Sequence, residues 1–354
     1  MWCCVSPVRR SIDLVLNMMR LSGGRVCELR HPAPKRRVVA SRAAARPRVG
    51  TPNLALAALL ATVALAAVAP RDAAAAQRLV VGMGNADATF FSEPAFTALR
   101  LQKVRYVAAW DTALQPGWER TQADQFMAAA RGRYDVLVSF ARSYTPGRVG
   151  RAPSQATYRK AVAAFVRRYP QVRTYSPWDE SNTCSEPTCR RPQLAAAYYR
   201  TLQRACRGCT VIAAEMLDTD YRQMRSYLQR FIRAAGKPTP RLWALHPYSD
   251  ANRFRTIGTR TMLATVPGTV WMTEVGGIYS FGSSFPPSAS RQARAVRWAT
   301  RLATSSPRIA RFYYYSFDGG GSFDSGLLSP AGAQRPAYGV FAGWVRALRR
   351  PAAR

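Results

Sequence analysis

From residue 78 onward, short apolar runs alternate along the chain with longer segments whose apolar positions recur at helical spacing. The apolar runs are nearly continuous in hydrophobicity, as expected for parallel strands that are covered on both faces. Strands are predicted at residues 78–84, 104–110, 134–140, 172–178, 210–216, 242–248, 270–276 and 310–317. The clearest helices are predicted at residues 119–131, 154–169, 192–206, 221–235, 288–304 and 337–349.

This alternation predicts an α/β fold, and its eight strands match a single-domain (β/α)8 TIM barrel. A doubly wound open sheet is the alternative, and it would carry a glycine-rich phosphate turn after the first strand. The segment GMGNADATF (82–90) has two glycines at that point but lacks the third glycine and the helix that should begin there. The sequence therefore favours the closed barrel.

Residues 53–76 are predicted to be the apolar centre and cleavage region of a signal peptide. The run NLALAALLATVALAAVA (53–69) follows basic residues and leads into the small-residue stretch RDAAAAQ. Because a run of 17 residues is near the lower limit for a membrane span, an uncleaved anchor is the alternative. Residues 1–52 fit no fold pattern and are either a disordered extension or the product of a start codon assigned too far upstream. The folded domain is predicted at residues 77–350.

The chain carries a formal net charge of +33, of which +24 remains beyond residue 76. Such a charge attracts polyanions, so nonspecific attraction to anionic cell-wall polymers is predicted. Nearly all of the basic residues are Arg, however, and they are scattered over many predicted helices without one basic stripe. This pattern is typical of coding bias and predicts no specific nucleic-acid partner. The arginine-rich composition and the predicted signal peptide together predict a bacterial protein that is secreted or cell-wall associated. Its mature form is predicted to have no membrane span.

Acidic and aromatic residues gather where the predicted strands end, which is where (β/α)8 enzymes place their chemistry. They are Asp111, Asp179, Glu180, Glu215, Asp218, His246, Tyr248, Glu274 and residues 315–318. Glu180 and Glu274 end the fourth and seventh strands, which face each other across a barrel. Cleavage of a glycosidic bond with retention needs two carboxyl groups about 5–5.5 Å apart. We therefore predict Glu180 as the acid/base and Glu274 as the nucleophile.

The remaining acids at the strand ends have two readings. Asp111, Glu215 and Asp218 either line the cleft and bind hydroxyl groups, or serve as helix N-caps and loop ion pairs.

These motifs resemble those of clan A glycoside hydrolases, in particular the secreted cellulase-like and xylosidase-like families. W-D-E-S-N (178–182) is similar to the W-N-E-P-N segment that carries the clan's acid/base, and W-M-T-E-V-G (271–276) to the segment that carries its nucleophile. H-P-Y (246–248) matches the clan's His-x-Tyr, whose Tyr orients the nucleophile. The resemblance implies substrate-binding or orienting roles for Arg105, Trp178, Asp179, His246, Tyr248, Tyr315 and Phe317.

The resemblance implies a secreted retaining glycoside hydrolase that acts on a poly- or oligosaccharide by double displacement, without a metal or an organic cofactor. One position departs from the clan: Asp179 stands where an Asn normally donates a hydrogen bond to the sugar 2-hydroxyl. No His ends the third predicted strand, where SFARS (139–143) stands. These departures keep an alternative open, a catalytically inactive carbohydrate-binding barrel that acts at the cell wall or is attached to it.

Four cysteines fall within the predicted domain, at Cys184, Cys189, Cys206 and Cys209. Their spacing superficially resembles that of a zinc ribbon. The predicted helix between the two pairs is about 20 Å long, however, and a disulfide needs Cα atoms within about 7 Å. The sequence therefore predicts two local disulfides, Cys184–Cys189 and Cys206–Cys209. Export of the protein to an oxidising compartment would allow both to form.

Overall fold

The computed structural model describes residues 79–350 of the 354-residue chain. The predictions for residues 1–52 and 53–76 lie outside the described residues and stay predictions. The strands are β1 (Val80–Gly84), β2 (Lys103–Ala109), β3 (Asp135–Ala141), β4 (Thr174–Ser176), β5 (Thr210–Val211), β6 (Glu215–Leu217), β7 (Leu242–His246), β8 (Thr269–Val275), β9 (Ser280–Phe281), β10 (Ile309–Tyr315) and β11 (Phe323–Asp324). The α-helices are α1 (Pro94–Ala98), α2 (Trp118–Ala130), α3 (Gln155–Arg168), α4 (Pro192–Ala205), α5 (Tyr221–Ala235), α6 (Tyr248–Asn252), α7 (Ile257–Thr265), α8 (Ala289–Ala303) and α9 (Pro336–Arg349).

Nine of these strands form one parallel sheet in the order β5-β4-β3-β2-β1-β10-β8-β7-β6. β5 and β6 share the fifth position of the barrel, because β5 pairs with β4 and β6 pairs with β7. Between them the Ile212 amide donates to the Tyr175 carbonyl and the Ala213 amide donates to the Leu242 carbonyl, so this segment is hydrogen-bonded on both sides. The strand predicted at residues 210–216 is thus divided in two, and the (β/α)8 barrel is confirmed.

The six predicted helices are all present, with ends within one residue of their predicted positions. Several begin at a side chain that accepts a hydrogen bond from a free backbone amide of the first turn. Ser154 caps α3, Asp220 caps α5 and Ser288 caps α8. The pattern did not predict α1, α6 and α7, which have five, five and nine residues and too few turns to show helical periodicity.

The barrel interior is filled beneath the carboxyl ends of its strands. A buried cluster closes it, formed by Leu137, Ile212, Ala244, Trp271, Ala310 and Tyr313. The Arg311 guanidinium lies 3.7 Å from the centre of the Trp271 ring, a cation–π contact. Gly82 makes room for Tyr313, since a Cβ at residue 82 would lie 2.6 Å from that ring. This packed floor restricts substrate access to the opposite, carboxyl-terminal end.

The cysteines form the two predicted local disulfides. Cα atoms are 4.8 Å apart in Cys184–Cys189 and 5.5 Å apart in Cys206–Cys209. Helix α4 separates the first pair from the second. Across residues 79–350, no helix combines the length and apolar character needed to cross a membrane.

Candidate active site

A cavity of about 810 Å³ opens at the carboxyl ends of the barrel strands. Both predicted catalytic residues line it, as does a group of aromatic side chains from the surrounding loops. The aromatic group consists of Trp118, Tyr144, Tyr248, Phe285, Tyr315 and Phe323. A cavity of this size, with apolar walls and a few convergent polar groups, is typical of small-molecule and substrate sites.

Glu180 and Glu274 face each other in this cavity. A carboxyl oxygen of each lies within 4.8 Å of the other and of one ring nitrogen of His246. Both side chains are accessible, with 16% and 13% of their surface exposed. This upper bound on the nearest oxygens is compatible with the separation of about 5–5.5 Å in retaining glycosidases and lies below the roughly 6.5–9.5 Å of inverting ones.

An irregularity in strand pairing brings Glu274 into the cavity. The partners of Phe312 and Tyr314 on β8 are Met272 and Val275, so β8 contains one extra residue between these two pairs. A bulge of this kind re-aims side chains next to it. As a result Thr273 and Glu274, although adjacent in sequence, both contact the polar cluster inside the barrel.

Two donors hold the Glu274 carboxylate, one on each oxygen. Arg105 Nη1 donates to Oε2 at 2.6 Å, and the Tyr248 hydroxyl donates to Oε1 at 3.0 Å. These are the contacts that the resemblance implied for Arg105 and Tyr248. Hydrogen bonds to the ionised form of a carboxyl group favour that form and fix its orientation.

The segment after β4 positions Glu180. The residue has a φ of +40°, a left-handed conformation that a non-glycine residue adopts only when its surroundings impose it. The next amide, that of Ser181, donates to the Glu215 carbonyl on β6 at 2.9 Å. The side chain of Glu180 is held as well, because His246 Nδ1 lies 3.1 Å from its Oε1 atom.

Arg105 lies at the centre of a buried polar cluster and is only 1% exposed. Besides Glu274, its guanidinium contacts Asp179 Oδ1 at 2.5 Å and Glu215 Oε2 at 2.7 Å, both through Nη2. Burial opposes the charge of Arg105, yet the adjacent carboxylates, led by Glu215, raise its pKa well above the usual value. It is therefore a permanent cation that connects three strand ends.

Glu215 is fully buried beneath the cavity, so it does not bind substrate, and it caps no helix. It accepts from Arg105 and from Ser139 Oγ at 2.7 Å, and it lies 3.2 Å from His246 Nε2. Burial works against its ionisation, but Arg105 and His246 outweigh burial and lower its pKa. Glu215 is therefore a buried anion that contacts both cations of the cluster, Arg105 and His246.

His246 is also buried and contacts carboxylates through both ring nitrogens. Burial opposes its protonation, but the hydrogen bonds with Glu180 and Glu215 raise its pKa to about 10. As an imidazolium it donates through Nδ1 to Glu180 and through Nε2 to Glu215 and Thr273 Oγ1. It thus crosslinks the acid/base candidate to the buried anion.

Two residues predicted to bind substrate do not reach the cavity. Trp178 is 0% exposed; it stacks on Tyr198 with ring centres 5.2 Å apart and donates to Glu186 at 2.9 Å. Phe317 is also 0% exposed and packs with its ring centre 5.6 Å from that of Phe96. The substrate-binding role predicted for both is wrong, because these side chains point into the layer between strands and helices. Tyr315 lines the cavity instead.

The two other acids at strand ends are structural. Asp111 accepts from Ser143 Oγ at 2.7 Å and from Arg148 Nη1 at 2.9 Å, which locks the loop after β3. Asp218 accepts from the Ser249 and Asp250 amides at 2.7 Å each, and so holds the first turn of α6, where Tyr248 lies. Burial and the neighbouring Asp250 raise the pKa of Asp218 to about 7. Neither acid lines the cavity: Asp111 forms a loop ion pair, as one interpretation predicted. Asp218 bonds first-turn amides of α6 from another segment and is not the N-cap residue, which is Pro247.

Several cavity residues were not predicted from the sequence. Trp118 and Tyr144 follow β2 and β3, with ring centres 5.7 Å apart, and Trp118 is 41% exposed. Phe285 and Phe323 come from the loops after β8 and β10, where β9 and β11 pair antiparallel. The rule that chemistry follows strand ends would have found Tyr144 and Trp118, had it been extended from acids to loop aromatics.

Two groups of side chains within residues 79–350 are compact enough to hold a metal ion, Asp179–Glu215–His246 and Glu180–His246–Glu274. Both include His246, whose two ring nitrogens already contact the carboxyl groups of Glu180 and Glu215. The Arg105 guanidinium already contacts the carboxyl groups of Asp179, Glu215 and Glu274. The donor set therefore fits an ion-pair cluster better than a metal centre.

The barrel and its facing carboxyl pair define a class, the glycoside hydrolases. A family model described as "Glycosyl hydrolase catalytic core" matches residues 159–340, just over half of the chain. The chain belongs to this family, and it is a glycoside hydrolase. The resemblance predicted from the motifs is confirmed at the level of family and fold. No curated protein sequence matches the chain.

Solved structures with the same fold share little sequence with this chain. A GH5_18 variant from Streptomyces cattleya, in complex with Manβ1-4GlcNAc, is 18% identical over 78% of this chain and 83% of its own, with a TM-score of 0.56. A psychrophilic family 10 endo-β-1,4-xylanase is 12% identical over 75% of this chain and 96% of its own, with a TM-score of 0.55. A GH39 β-xylosidase from Caulobacter crescentus is 15% identical over 77% of this chain and 72% of its own, with a TM-score of 0.52.

Proposed function

We propose that this protein is a secreted retaining glycoside hydrolase that cleaves a poly- or oligosaccharide by double displacement. The observation that carries the proposal is the pair Glu180 and Glu274, with carboxyl oxygens within 4.8 Å in an open cavity at the strand ends. Carboxyl groups at this separation leave room for one anomeric carbon but not for an additional water molecule, as direct nucleophilic attack requires.

In the first step, a Glu274 oxygen attacks the anomeric carbon while Glu180 protonates the departing glycosidic oxygen. The bond to the leaving sugar breaks through an oxocarbenium-like transition state, and a glycosyl ester forms on Glu274. In the second step, Glu180 removes a proton from water. That water attacks the same carbon, releasing the product with the original anomeric configuration and Glu274 as a carboxylate.

The surrounding contacts support these roles. Arg105 and Tyr248 each donate to one oxygen of Glu274 and so fix the orientation of its carboxyl group. His246 donates to Glu180 and restrains its position after β4. Both sets of contacts are in place before substrate binds, so little reorganisation is needed during the reaction.

The aromatic side chains support a carbohydrate substrate. Tyr315 lies beside the catalytic pair, and Trp118 with Tyr144 forms a second aromatic surface on the loops after β2 and β3. Flat apolar rings favour the C–H faces of sugars, while the polar tip of a Tyr or Trp contacts hydroxyl groups. We therefore propose that the substrate contains more than one sugar unit.

Export is the remaining part of the proposal. The predicted signal peptide at residues 53–76 and the two disulfides favour an oxidising compartment outside the cytoplasm. The disulfide Cys184–Cys189 also closes the loop that follows Glu180, and Cys184 lines the cavity.

The test is a panel of polysaccharides with detection of newly formed reducing ends. The wild-type protein is expected to release reducing ends from at least one glycan, with Glu274→Ala reduced to background. NMR of the initial product should show the anomeric configuration of the substrate. An inactive carbohydrate-binding barrel would instead bind a glycan without any turnover above that of Glu274→Ala, and inversion at the anomeric carbon would exclude double displacement.

A further inference from the structure

Asp179 precedes the acid/base candidate and occupies a position that calls for a hydrogen-bond donor. Its side chain lines the cavity and is 17% exposed. Related barrels place an Asn here, which donates to the sugar hydroxyl next to the anomeric carbon. An ionised carboxylate has only acceptors and cannot do this.

The geometry around Asp179 does not favour two ionised carboxyl groups. Asp179 Oδ1 and Glu215 Oε2 both contact one atom, Nη2 of Arg105, at 2.5 and 2.7 Å. Two ionised carboxylates that contact the same guanidinium nitrogen repel each other, and this repulsion favours a proton on one of them.

The proton is assigned by the other partners of the two groups. Glu215 accepts from Ser139 Oγ at 2.7 Å and lies 3.2 Å from His246 Nε2. Asp179 lies 3.9 Å from the same nitrogen, beyond hydrogen-bonding distance. Glu215 therefore has more hydrogen-bond donors to stabilise a negative charge than Asp179 has, and the proton belongs on Asp179.

We propose that Asp179 is a neutral carboxylic acid in the resting enzyme and donates its O–H to the sugar hydroxyl adjacent to the anomeric carbon. This inference rests on the proposed function and deepens it. Oδ1 accepts from Arg105, which leaves Oδ2 to carry the proton. A hydrogen bond to this sugar hydroxyl strengthens in the transition state of glycoside hydrolysis, so the donor contributes to rate as well as binding.

The charged groups around Asp179 agree with this assignment. Arg105 on β2, Arg142 after β3 and His246 on β7 are cationic, while Glu215 on β6 and Glu274 on β8 are anionic; the remaining neighbour is Glu180. Burial is the largest influence and raises the pKa of Asp179 well above its usual range; Arg105 and His246 oppose it.

The first catalytic step requires Glu180 to be protonated. Arg142 is paired with Glu186 and is not counted with the inner cluster. That cluster consists of two cations, Arg105 and His246, and four acids, Asp179, Glu180, Glu215 and Glu274. With Asp179 also neutral, two cations balance two anions, Glu215 and Glu274. The cluster is then electrically neutral, which lowers the cost of burying its charges.

The direct test is infrared difference spectroscopy of the wild-type protein minus Asp179→Asn, recorded at about pH 8.5. At this pH Glu186 and Asp218, whose pKa values are raised to about 7, have lost their protons. The difference spectrum is expected to contain the C=O stretch of a protonated carboxylic acid. The control is Glu186→Gln, which removes another buried carboxyl of the same cavity. The acid band of Asp179 should still be present in the spectrum of this variant. Only a carboxylate band in the difference spectrum would overturn the proposal.

Kinetics tests the donor role. Asp179→Asn keeps a donor and should have a kcat/KM about tenfold or more above that of Asp179→Ala. The Ala deficit should shrink for a matched aryl 2-deoxyglycoside. The ratio of wild-type to Asp179→Asn kcat/KM should fall on the alkaline side as Asp179 ionises, because the requirement for a protonated acid/base is common to both proteins. Equal losses in both variants, or an Ala deficit independent of the sugar hydroxyl, would overturn the donor role. If the wild type cleaves no glycoside while the acid band is present, the proposed function fails and the protonation of Asp179 stands.

Discussion

The hydroxyl of Tyr248 donates to Oε1 of Glu274 at 3.0 Å, while Arg105 holds the other oxygen. Tyr248 is the first residue of α6, and its backbone position is fixed because Asp218 accepts hydrogen bonds from the next two amides. The orientation of the proposed nucleophile thus depends on a chain of contacts that runs from β6 through α6 to β8.

Replacing Tyr248 with Phe removes one charge-assisted hydrogen bond from Glu274 and little volume. Such bonds are worth about 1.5–3 kcal/mol, so kcat/KM is expected to fall by about 10- to 100-fold. The loss should appear mainly in kcat, since the hydroxyl contacts Glu274 rather than a remote part of the sugar. Steady-state kinetics measures it, with Tyr221→Phe on the surface of α5 as the matched control. A variant with wild-type kcat would show that Tyr248 does not orient the nucleophile.

Removing the acid/base changes which substrates still react. Glu180→Ala is expected to lose about 10²- to 10⁴-fold in activity on natural glycans, because no group protonates the departing oxygen. Aryl glycosides with acidic phenols need no such proton and should still form the glycosyl ester. Added azide should then intercept this ester and give a glycosyl azide of retained configuration.

Glu274→Ala is the control for this experiment. Without a nucleophile, azide attacks the substrate directly and gives the opposite anomer, which NMR distinguishes. The same azide anomer from both variants would contradict the assignment of two different roles.

Trp118 is expected to bind a sugar unit away from the catalytic pair. Trp118→Ala should raise KM for long oligosaccharides by about tenfold, equivalent to about 1.4 kcal/mol, with a much smaller effect on the shortest substrate that is cleaved. Phe254 has the same 41% exposure but does not line the cavity, so Phe254→Ala is the matched control. An equal effect of Trp118→Ala on short and long substrates would refute this distal sugar site.

The protonated His246 should make stability depend on pH. Its pKa is raised to about 10 in the folded protein, against about 6.5 for an unfolded chain. The folded state therefore binds the extra proton between these values, and the stabilisation is complete below about pH 6.5 and lost as the pH rises towards about 10. Urea unfolding of the wild type and His246→Gln should give a free-energy difference that declines over this range. A difference that is constant with pH would mean that His246 is neutral in the folded protein.

The architecture and the position of Glu180 and Glu274 in one cavity could be predicted from the sequence because each follows a local rule. Continuous apolar runs indicated the parallel strands, and strand ends indicated Glu180 and Glu274. Trp178 and Phe317 failed under the same rule, since it does not say whether a side chain at a strand end turns towards the cavity or towards the helices. Both turn towards the helices and pack among other aromatic rings.

The polar cluster could not be predicted because its contacts join distant strands. Glu215 resembled any other acid at a strand end, and only the fold shows that it lies beneath Arg105 and His246. The bulge on β8 is likewise invisible in the sequence. Strict alternation would place either Thr273 or Glu274 inside the barrel, whereas the register shift brings both to the cluster.

Covalent labelling of Glu274 tests the central claim most directly. A 2-deoxy-2-fluoro glycoside with a good leaving group, matched to a sugar that the enzyme cleaves, should inactivate it by accumulating the glycosyl ester. Intact mass should rise by one fluoroglycosyl unit, peptide mapping should place the unit on Glu274, and Glu274→Gln should remain unlabelled. A label on any other residue, or turnover that persists in Glu274→Gln, would contradict the assignment of Glu274 as the nucleophile.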